Sequence, residues 1–374
     1  MRVLVAPASL KESLPAAEAA RALAEGARRA GAEAIELPLA DGGRGTLECL
    51  APAMGLRLQT VQVTGPLGRP VQATFGYSPD TRTAVMEMAS ASGLALLPPG
   101  ERDAMRATTR GTGELLRAAL EAGAERLYLG IGDSATSDGG CGAAQALGFR
   151  LLDVRDREIG PGAEALAPLA RIDPAKIHPR LRETEIRVAC DVDNPLLGPH
   201  GAARIFSPQK GATPAQVEEI EKDLAHLAEV IQRDLGLDVR AIPGGGAAGG
   251  LGAGAVAFLG ARLMSGAEWV LGAIEIDKHL ARADLVLTAE GRFDAQSLGG
   301  KAPMALARRA AAAGIPCAVI PGSTGPGYEP ALEQGVSAVF PLVRGNVTLS
   351  DALARPRELL AERAAEAVRR FARR

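Results

Sequence analysis

The chain has few of the residues on which several classes of function depend. Aromatic residues make up 3% of its 374 residues, and it has 4 histidines. A formal net charge of −2 gives no basic surplus for binding nucleic acid, and aromatic platforms for stacked bases are equally scarce. We therefore expect no nucleic-acid partner. Scarce histidine also argues against histidine-based nucleophilic catalysis and against a histidine metal site.

Cysteine is also scarce, and its spacing indicates a reducing compartment. The cysteines Cys49, Cys141, Cys190 and Cys317 lie far apart and form no C-x-x-C pair. This spacing fits neither a disulfide framework nor a zinc site, so we expect a cytoplasmic protein. The apolar N-terminal run is too short for a secretory signal, and an uncharged apolar run of about 18 residues, which a membrane span needs, does not occur.

Apolar segments alternate with helical patterns at both ends of the chain. The predicted strands there are residues 2–6, 33–37, 284–288, 317–321 and 338–342. The predicted helices are one that ends near Arg29, with Ser13 as its cap, and others from 47, at 302–313, 330–334 and about 350–372. Such alternation is typical of a parallel sheet. Residues 1–58 and 282–374 are therefore predicted to form one discontinuous α/β domain.

The middle of the chain has a different pattern. Short alternating strands at 59–63, 71–77 and 83–88, separated by turn residues, predict an antiparallel meander. Further strands are predicted at 126–129 and 185–190, and a long amphipathic helix at 214–235. We interpret residues 59–281 as an inserted domain of mixed α/β structure. The predicted fold class is thus α/β with two domains.

Polar, glycine-containing loops begin where most of these strands end. They are residues 6–14, 41–46, 132–142, 191–211 and 288–301. Ligands of open α/β sheets bind beyond the carboxyl ends of the strands, so we expect an active site in the cleft between the two domains. A sixth segment, Gly244–Gly254, has more glycine than a helix tolerates without cause. Close approach of its backbone to a ligand or to another helix would explain this composition.

The charged residues of these loops favour phosphoryl transfer. Cations at Lys11, Arg44, Lys210, Arg292 and Lys301 are mixed with carboxylates at Asp41, Asp133, Asp138, Asp191, Asp193, Glu290 and Asp294. Carboxylates hold Mg²⁺, cations neutralise phosphate, and an aspartate orients the attacking hydroxyl. The loop in Gly130–Gly148 leads from a strand into a helix, a geometry that suits phosphate or carboxylate.

Each of these features also has an ordinary structural interpretation. Glycine pairs form tight turns, Asp191 and Asp193 could cap the next segment, and lysines usually lie on the solvated surface. Neither a Walker motif nor a G-x-G-x-x-G after the first strand is present. The residues by themselves therefore predict a two-domain α/β enzyme that acts on anions, with phosphoryl transfer favoured.

Six segments resemble the type I glycerate kinase family, in that family's order. They are APASLKESL at 6–14, ADGGRGT at 40–46, SATSDGGCGAAQALG at 134–148, ACDVDNPLLGPHGAARIFSPQKGA at 189–212, GGGAAGGLGAG at 244–254 and TAEGRFDAQSLGGKAP at 288–303. The resemblance implies a flavodoxin- or Rossmann-like domain beside a second domain. It also implies transfer of the γ-phosphate of ATP, with Mg²⁺, to D-glycerate, usually at the 2-hydroxyl. Whether such a protein is a monomer or a homodimer stays open.

On this resemblance we infer roles for individual residues, which the family's motifs do not themselves assign. The expected catalytic residues are Asp191, Asp193 and Lys210, with either aspartate as the base or a metal ligand. The expected substrate and phosphate contacts are Lys11, Ser134, Asp138, Gly139, Gly140, Asn194, Arg292 and Lys301. The expected metal ligands are Asp41, Glu290 and Asp294, the last two also being candidate ribose contacts.

The chain departs from the family's usual residues at several positions. Ala8 stands where Asp is usual, Arg44 where Glu is usual, and Asp133 where Gly is usual. The first two changes raise positive charge near the first two loops, and Asp133 is a candidate replacement carboxylate. Two alternatives therefore stay open. One is a kinase for a related small hydroxycarboxylate, and the other is a non-catalytic regulator that senses a carboxylate or a nucleotide.

Overall fold

The chain divides into two structural units. The structure, a computed structural model, describes residues 1–10 and 13–373. Unit 1 consists of Met1–Asp41, Glu48–Ala53 and Ser265–Arg374, and unit 2 of Gly42–Leu47 and Met54–Met264. The domain boundaries predicted from sequence, after residues 58 and 281, differ from this division. In the structure, the chain returns to unit 1 at Ser265.

Helices and strands are numbered along the chain. The strands are β1 (Arg2–Val5), β2 (Glu33–Glu36), β3 (Arg57–Thr64), β4 (Pro70–Ser78), β5 (Thr83–Glu87), β6 (Arg126–Gly130), β7 (Arg150–Leu152), β8 (Arg171–Asp173), β9 (Glu185–Ala189), β10 (Arg262–Met264), β11 (Leu285–Thr288), β12 (Arg292–Phe293), β13 (Cys317–Val319), β14 (Ser323–Thr324) and β15 (Ala338–Val339). The helices are α1 (Ala16–Arg29), α2 (Thr46–Ala53), α3 (Ala89–Ser92), α4 (Arg110–Glu121), α5 (Cys141–Ala146), α6 (Ala202–Phe206), α7 (Pro214–Leu235), α8 (Leu251–Leu259), α9 (Gly266–Ala273), α10 (Ile276–Leu280), α11 (Ala302–Ala312), α12 (Leu349–Ala354) and α13 (Pro356–Phe371).

Unit 1 is built on a parallel sheet of short apolar strands. The strand order is β2-β1-β11-β13-β15, and every neighbouring pair is parallel. All residues of β11 and β13 are buried, as continuous apolar strands of parallel sheets are. Numbered within the sheet, the order is 2-1-3-4-5, which is the flavodoxin-like arrangement. The predicted α/β fold class is therefore confirmed.

The strand order places the switch point of this sheet between β1 and β11. Chain connections leave the two strands in opposite directions there, and ligands of such sheets bind at this crevice. The Thr288 hydroxyl donates to the Ala6 carbonyl at 2.7 Å, and the Ala8 N–H donates to the Ala289 carbonyl at 2.9 Å. The loops that follow β1 and β11 are thus held side by side.

Helices α1 and α13 of unit 1 approach each other at a glycine. A Cβ at Gly26 would lie 2.0 Å from the carbonyl oxygen of Ala361, so this contact excludes any larger residue. Both helices bury alanine and leucine side chains in the same apolar cluster as β1 and β11. Helix α1 begins after Pro15 and has no side-chain cap, so the prediction that Ser13 caps it was wrong.

Helices α9 and α10 are tied to α11 by one arginine. Arg309 of α11 donates from Nη2 to Glu268 at 2.5 Å and from Nη1 to Asp277 at 3.0 Å. Residues 265–281 thus belong with the C-terminal helices of unit 1. The sequence placed this boundary later, at residue 282. The pairing of Arg309 with these carboxylates could not be recognised from neighbouring residues in the sequence.

The C-terminal helical segment is interrupted at one residue. A single helix was predicted at about 350–372, but Arg355, with φ −129° and ψ 46°, separates α12 from α13. Pro356 follows, and proline disfavours helical backbone in the residue before it. The helix predicted at 330–334 is a short 3₁₀ helix at Glu329–Glu333.

Unit 2 is built on a mixed sheet of six strands, in the order β10-β9-β6-β5-β4-β3. Strands β3, β4 and β5 form the predicted antiparallel meander, while β5, β6, β9 and β10 are parallel. The loops after β6 and β9 therefore leave the same edge of the sheet. Helix α7, predicted at the same bounds, begins with a capping box between Thr213 and Gln216. Among the described residues no helix combines the length and apolarity needed to cross a bilayer.

The glycine-rich segment 244–254 packs its backbone against another loop of unit 2. A Cβ at Gly249 would lie 2.0 Å from the Thr136 carbonyl oxygen, and one at Gly254 would lie 2.1 Å from that of Gly139. The close approach predicted from composition is present. The backbone of this segment also approaches the loop after β9, since a Cβ at Gly246 would lie 2.2 Å from the Pro195 carbonyl oxygen.

Candidate functional site

An acidic side chain with an unused oxygen lies at the carboxyl edge of the unit 1 sheet. Glu290 follows β11 by two residues and is 6% exposed. Its carbonyl accepts the Gly322 N–H at 2.9 Å, which fixes it beside the loop after β13. Its side-chain Oε1 is buried and has no hydrogen-bond partner. Such an atom costs about 1–3 kcal/mol, so it marks a place where a ligand donor is expected.

The surroundings of Glu290 raise its pKa to about 7. Burial is the largest cause, because the charged form loses its hydration. The Lys301 ammonium and the Ser297 hydroxyl oppose the rise, while the charges of Asp294 and Asp41 add to it. Near neutral pH the carboxyl is therefore poised between its two protonation states, as acid–base catalysis requires.

Arg292 and Asp294 pair with each other. Arg292 Nε lies 3.1 Å from Asp294 Oδ2. Asp294 also accepts the Gln296 N–H at 3.0 Å and forms a capping box with Ser297 at the start of the 3₁₀ helix Ala295–Gly299. Asp294 thus shapes its own loop, while the Arg292 side chain is mostly exposed.

Lys301 lies at the N-terminus of α11, near enough to Glu290 for its charge to act on that carboxyl. It is the residue before the helix, and its side chain makes no cap. Its charge lowers the pKa of Glu290, although the two side chains form no ion pair. Lys11, the other predicted lysine contact, lies outside the described residues.

The three predicted metal ligands do not form a metal centre. No three His, Cys, Asp or Glu side chains within residues 1–10 and 13–373 are grouped to hold a metal ion. Asp294 caps a helix, Asp41 is exposed, and Glu290 is buried with the charge of Lys301 beside it. Magnesium that accompanies phosphates needs only one or two protein carboxylates. These residues therefore do not fit a resident metal ion.

Sequence reasoning missed a loop that borders Glu290. Residues 320–328 follow β13, and β14 within them pairs in parallel with β12. A Cβ at Gly325 would lie 2.9 Å from the Arg292 guanidinium, so this loop covers that side chain closely. A signal was present, because IPGSTGPGY is a polar glycine segment directly after an apolar strand.

In unit 2, the carboxylate of Asp138, a predicted substrate contact, accepts hydrogen bonds from backbone and hydroxyl groups of the same unit. It is fully buried, and its Oδ2 accepts the Thr109 N–H at 2.8 Å and the Thr109 hydroxyl at 2.9 Å. The N–H groups of Gly140 and Gly142 each donate to its carboxylate at 3.2 Å. Burial raises the pKa of Asp138, and these bonds oppose the rise. The carboxylate occupies the N-terminus of α5, where the sequence predicted an anionic ligand.

Backbone interactions within unit 2 also involve other predicted contacts of the same loop. Ser134 is buried and forms a β-bridge with Gly93. The Gly139 N–H donates to the Gly249 carbonyl at 3.1 Å. Gly139 and Gly140 have φ values of 61° and 81°, in the left-handed region that favours glycine. Their glycine identity is therefore explained by the shape of the loop.

Lys210, a predicted catalytic residue, lies beneath this loop. It is 1% exposed, and its Nζ donates to the Thr136 carbonyl at 2.5 Å. Burial lowers the pKa of Lys210 to about 7, against the opposing charge of Asp138. Ser137 and Ser207 share a hydrogen bond of 3.1 Å nearby. Lys210 thus positions the loop from inside unit 2.

The loop after β9 carries the two predicted catalytic aspartates. Asp191 is half-buried and Asp193 is exposed. Asn194 donates from Nδ2 to the His200 carbonyl at 2.8 Å, and its own carbonyl accepts the Gly246 N–H at 2.9 Å. Asn194 therefore holds the loop that presents the aspartates.

Two departures from the family's usual residues lie together in unit 2. The Arg44 N–H donates to Asp133 Oδ2 at 3.3 Å, and Asp133 has φ 58°, in the region that favours glycine. Glu87 at the end of β5, which sequence reasoning did not single out, accepts the Leu47 N–H at 2.7 Å. Burial raises the pKa of Glu87, the charge of Arg44 lowers it, and that of Asp133 raises it.

These observations define the class of protein to which the chain belongs. It is an α/β protein with polar loops at the carboxyl edges of two sheets and a buried, unpartnered acid at a flavodoxin-like switch point. The sequence profile of the glycerate kinase family matches residues 3–372. The chain therefore belongs to the glycerate kinase family and is an enzyme of that family.

The chain is similar to known proteins over nearly its whole length. A protein of Bacillus subtilis named glycerate kinase is 47% identical over 100% of this chain and 96% of its own length. One of Escherichia coli named glycerate 2-kinase is 47% identical over 94% of this chain and 93% of its own. A crystal structure described as glycerate kinase 2, from Salmonella typhimurium, has 45% identity and a TM-score of 0.85, and covers 100% of this chain and 98% of that one.

Proposed function

We propose that this enzyme transfers the γ-phosphate of ATP to the 2-hydroxyl of D-glycerate, with Mg²⁺ carried by the nucleotide. The observation that carries the proposal is the family match over residues 3–372. A relative that is 47% identical is named glycerate 2-kinase, which favours the 2-hydroxyl. The strand-end loops supply carboxylates and cations of the kind that phosphoryl transfer uses.

We propose different roles for the predicted site residues according to their exposure. Asp191 and Asp193 act on the reacting groups, and Arg292 and Lys301 contact anions. Asp138, Lys210 and Asn194 act as positioning residues, because their polar atoms bind other parts of unit 2. Ser134, Gly139 and Gly140 shape the loop after β6.

The first test is product identification. Purified enzyme with Mg-ATP and D-glycerate should release ADP, and phosphorus NMR should show 2-phosphoglycerate. Formation of 3-phosphoglycerate would overturn the choice of hydroxyl, and absence of turnover would overturn the proposed activity.

The role of Asp191 is tested by D191N. Removing the charge of a group that acts in the transition state should lower kcat by about 10²-fold or more, with unchanged melting temperature. The exposed Glu333→Gln in unit 1 is a matched control, with kcat expected at the wild-type value. Normal turnover by D191N would remove Asp191 from the mechanism.

A related hydroxycarboxylate is the second candidate substrate. The contact between Arg44 and Asp133 favours it, because both residues depart from the family's usual ones and lie together. Comparing kcat/KM over a panel of short hydroxy acids separates the two substrates. A preference of tenfold or more for an acid other than D-glycerate would select this alternative. Ligand binding without ADP release for every acid would instead indicate a sensor.

A further inference from the structure

We infer that Glu290 and Lys301 of unit 1 bind the acid substrate, and that Glu290 is the base that accepts the proton of the phosphorylated hydroxyl. The inference rests on the proposed function for the identity of the substrate. It assigns to the loop after β11 the base role that the sequence offered to Asp191 or Asp193. Asp191 and Asp193 then act on the transferred phosphoryl group and its Mg²⁺ rather than as the base.

One carboxylate oxygen of Glu290 is buried and lacks a hydrogen-bond partner. The Ser297 hydroxyl hydrogen-bonds to the carboxylate, but Oε1 has no partner although it is buried. An acceptor of this kind calls for a donor, and a substrate hydroxyl is a donor of suitable size. The backbone on both sides is fixed, since Ala289 accepts from Ala8 and Glu290 from Gly322, each at 2.9 Å. The oxygen is therefore held in place before a ligand arrives.

The charged side chains around Glu290 also favour an acid substrate. Within the described part of the chain, the charges of Lys301, Asp294 and Asp41 act on the pKa of Glu290. Asp294 is already paired with Arg292, whereas the Lys301 ammonium forms no ion pair with another described residue. The neighbouring described segments 6–10 and 320–328 contain no charged residue. Among the described residues, Lys301 is therefore the cation available to a ligand of Glu290.

This combination matches the chemistry of a 2-hydroxy acid. Such a substrate carries a hydroxyl donor on the carbon next to its carboxylate. The hydroxyl donates to Glu290 Oε1, and the carboxylate binds the Lys301 ammonium at the N-terminus of α11, an 11-residue helix whose dipole also favours an anion. The position is the switch-point crevice of the sheet, where ligands of flavodoxin-like folds bind.

The proton transfer follows from this placement. The substrate hydroxyl oxygen forms a bond to the γ-phosphorus of ATP, and the bond from that phosphorus to the ADP oxygen breaks, leaving its electron pair on ADP. The hydroxyl proton passes to the Glu290 carboxylate, which later releases it to water. No further reactant is needed.

The kinetic test uses Glu290→Gln and Lys301→Met, with Glu333→Gln as the control. Glu290→Gln keeps the size of the side chain but removes the basic oxygen, so kcat should fall about 10²–10³-fold with little change in the KM for ATP. Lys301→Met should raise the KM for D-glycerate tenfold or more, with a smaller effect on kcat. Wild-type kcat in Glu290→Gln would overturn the inference.

A binding test separates this role from a merely structural one. Calorimetry without nucleotide compares D-glycerate with 3-hydroxypropionate, which lacks only the 2-hydroxyl. The wild type should prefer D-glycerate, and Glu290→Ala should lose that preference while still binding both acids. Retention of the full preference by a folded Glu290→Ala would contradict the inference. So would a defect of Glu290→Gln that is confined to the KM for ATP and disappears with 2′-deoxy-ATP, because Glu290 would then bind the ribose.

Failure of this inference is distinguishable from failure of the proposed function. If the wild type does not phosphorylate D-glycerate, the proposed function fails. If the wild type does so and Glu290→Gln is equally active, only the role of Glu290 fails. Circular dichroism of each variant confirms that it is folded.

Discussion

At the scale of the residue, Glu290 couples protonation to folding. Its pKa in the folded protein, about 7, lies above the usual value of 4.5. The folded state therefore binds more protons than the unfolded state between these two values. The stabilisation linked to this proton is fully present below about pH 4.5 and is lost as pH rises through about 7.

We predict that Glu290→Gln removes this pH dependence. A shift from 4.5 to about 7 corresponds to at most roughly 3 kcal/mol. Between pH 5 and pH 8 the wild type should therefore lose up to roughly 3 kcal/mol of unfolding free energy relative to the variant. Urea unfolding at several pH values measures the difference, with Glu333→Gln as the control. Parallel curves for wild type and Glu290→Gln would show that the carboxyl has an ordinary pKa.

The same scale shows why residue type did not reveal role. Asp138 and Glu290 are both acids in polar loops after buried strands, and both are buried. Asp138 is satisfied by Thr109, Gly140 and Gly142, whereas Glu290 keeps one oxygen without a partner. Thr109 is far from Asp138 in sequence, so no local pattern could distinguish the two acids.

At the scale of the element, two helical glycines have opposite roles. Gly26 in α1 is required for the approach to α13, because a Cβ there would lie 2.0 Å from a carbonyl oxygen. Gly272 in α9 has no atom within 4 Å of the position of an added Cβ. From sequence alone, both glycines would only be expected to destabilise their helices.

We predict opposite effects of alanine at these two positions. Gly26→Ala should destabilise the protein by about 1–3 kcal/mol through overpacking. Gly272→Ala should stabilise it by about 0.5–1 kcal/mol, because alanine has the better helix propensity and open space here. Chemical denaturation of both variants compares them directly. Equal effects of the two substitutions would contradict the packing argument.

Elements with a strong local pattern were predicted well. Helix α7 was predicted at its observed bounds, and the strands of both sheets within a few residues, except for the three-residue β10, which was not predicted. Errors arose where one neighbouring residue determines the backbone conformation. At the break between α12 and α13, Pro356 disfavours helical backbone at Arg355. The position of Arg309 between Glu268 and Asp277 was equally invisible from local periodicity.

At the scale of the whole molecule, the two units differ in how their cores are encoded. The apolar cluster of unit 2 is formed by residues between Val61 and Leu263, all within one continuous segment. The cluster of unit 1 combines residues of β1 and α1 with residues of β11 and α13, from opposite ends of the chain.

We predict that the segment 54–264 folds alone and that the segment 265–374 does not. The first contains all six strands of the unit 2 sheet and its apolar cluster. The second lacks β1, β2 and α1, so its central strand β11 would lose a neighbour and its apolar cover. Circular dichroism and cooperative urea unfolding of each fragment measure the outcome. A cooperative transition for 265–374, or none for 54–264, would contradict the prediction.

The sequence by itself determined the α/β class, most elements, and the polar glycine loops at the ends of strands. These features depend on local alternation, propensity and turn chemistry, which are written into neighbouring residues. Tertiary structure decided which loop residues remain available for a ligand. From sequence, Lys210 was expected to be catalytic and Asp138 to contact the substrate, but backbone groups distant in the chain bind both side chains, while Glu290 keeps an unused oxygen. Burial and hydrogen-bond satisfaction depend on residues far apart in the chain, so only the folded arrangement could separate these roles.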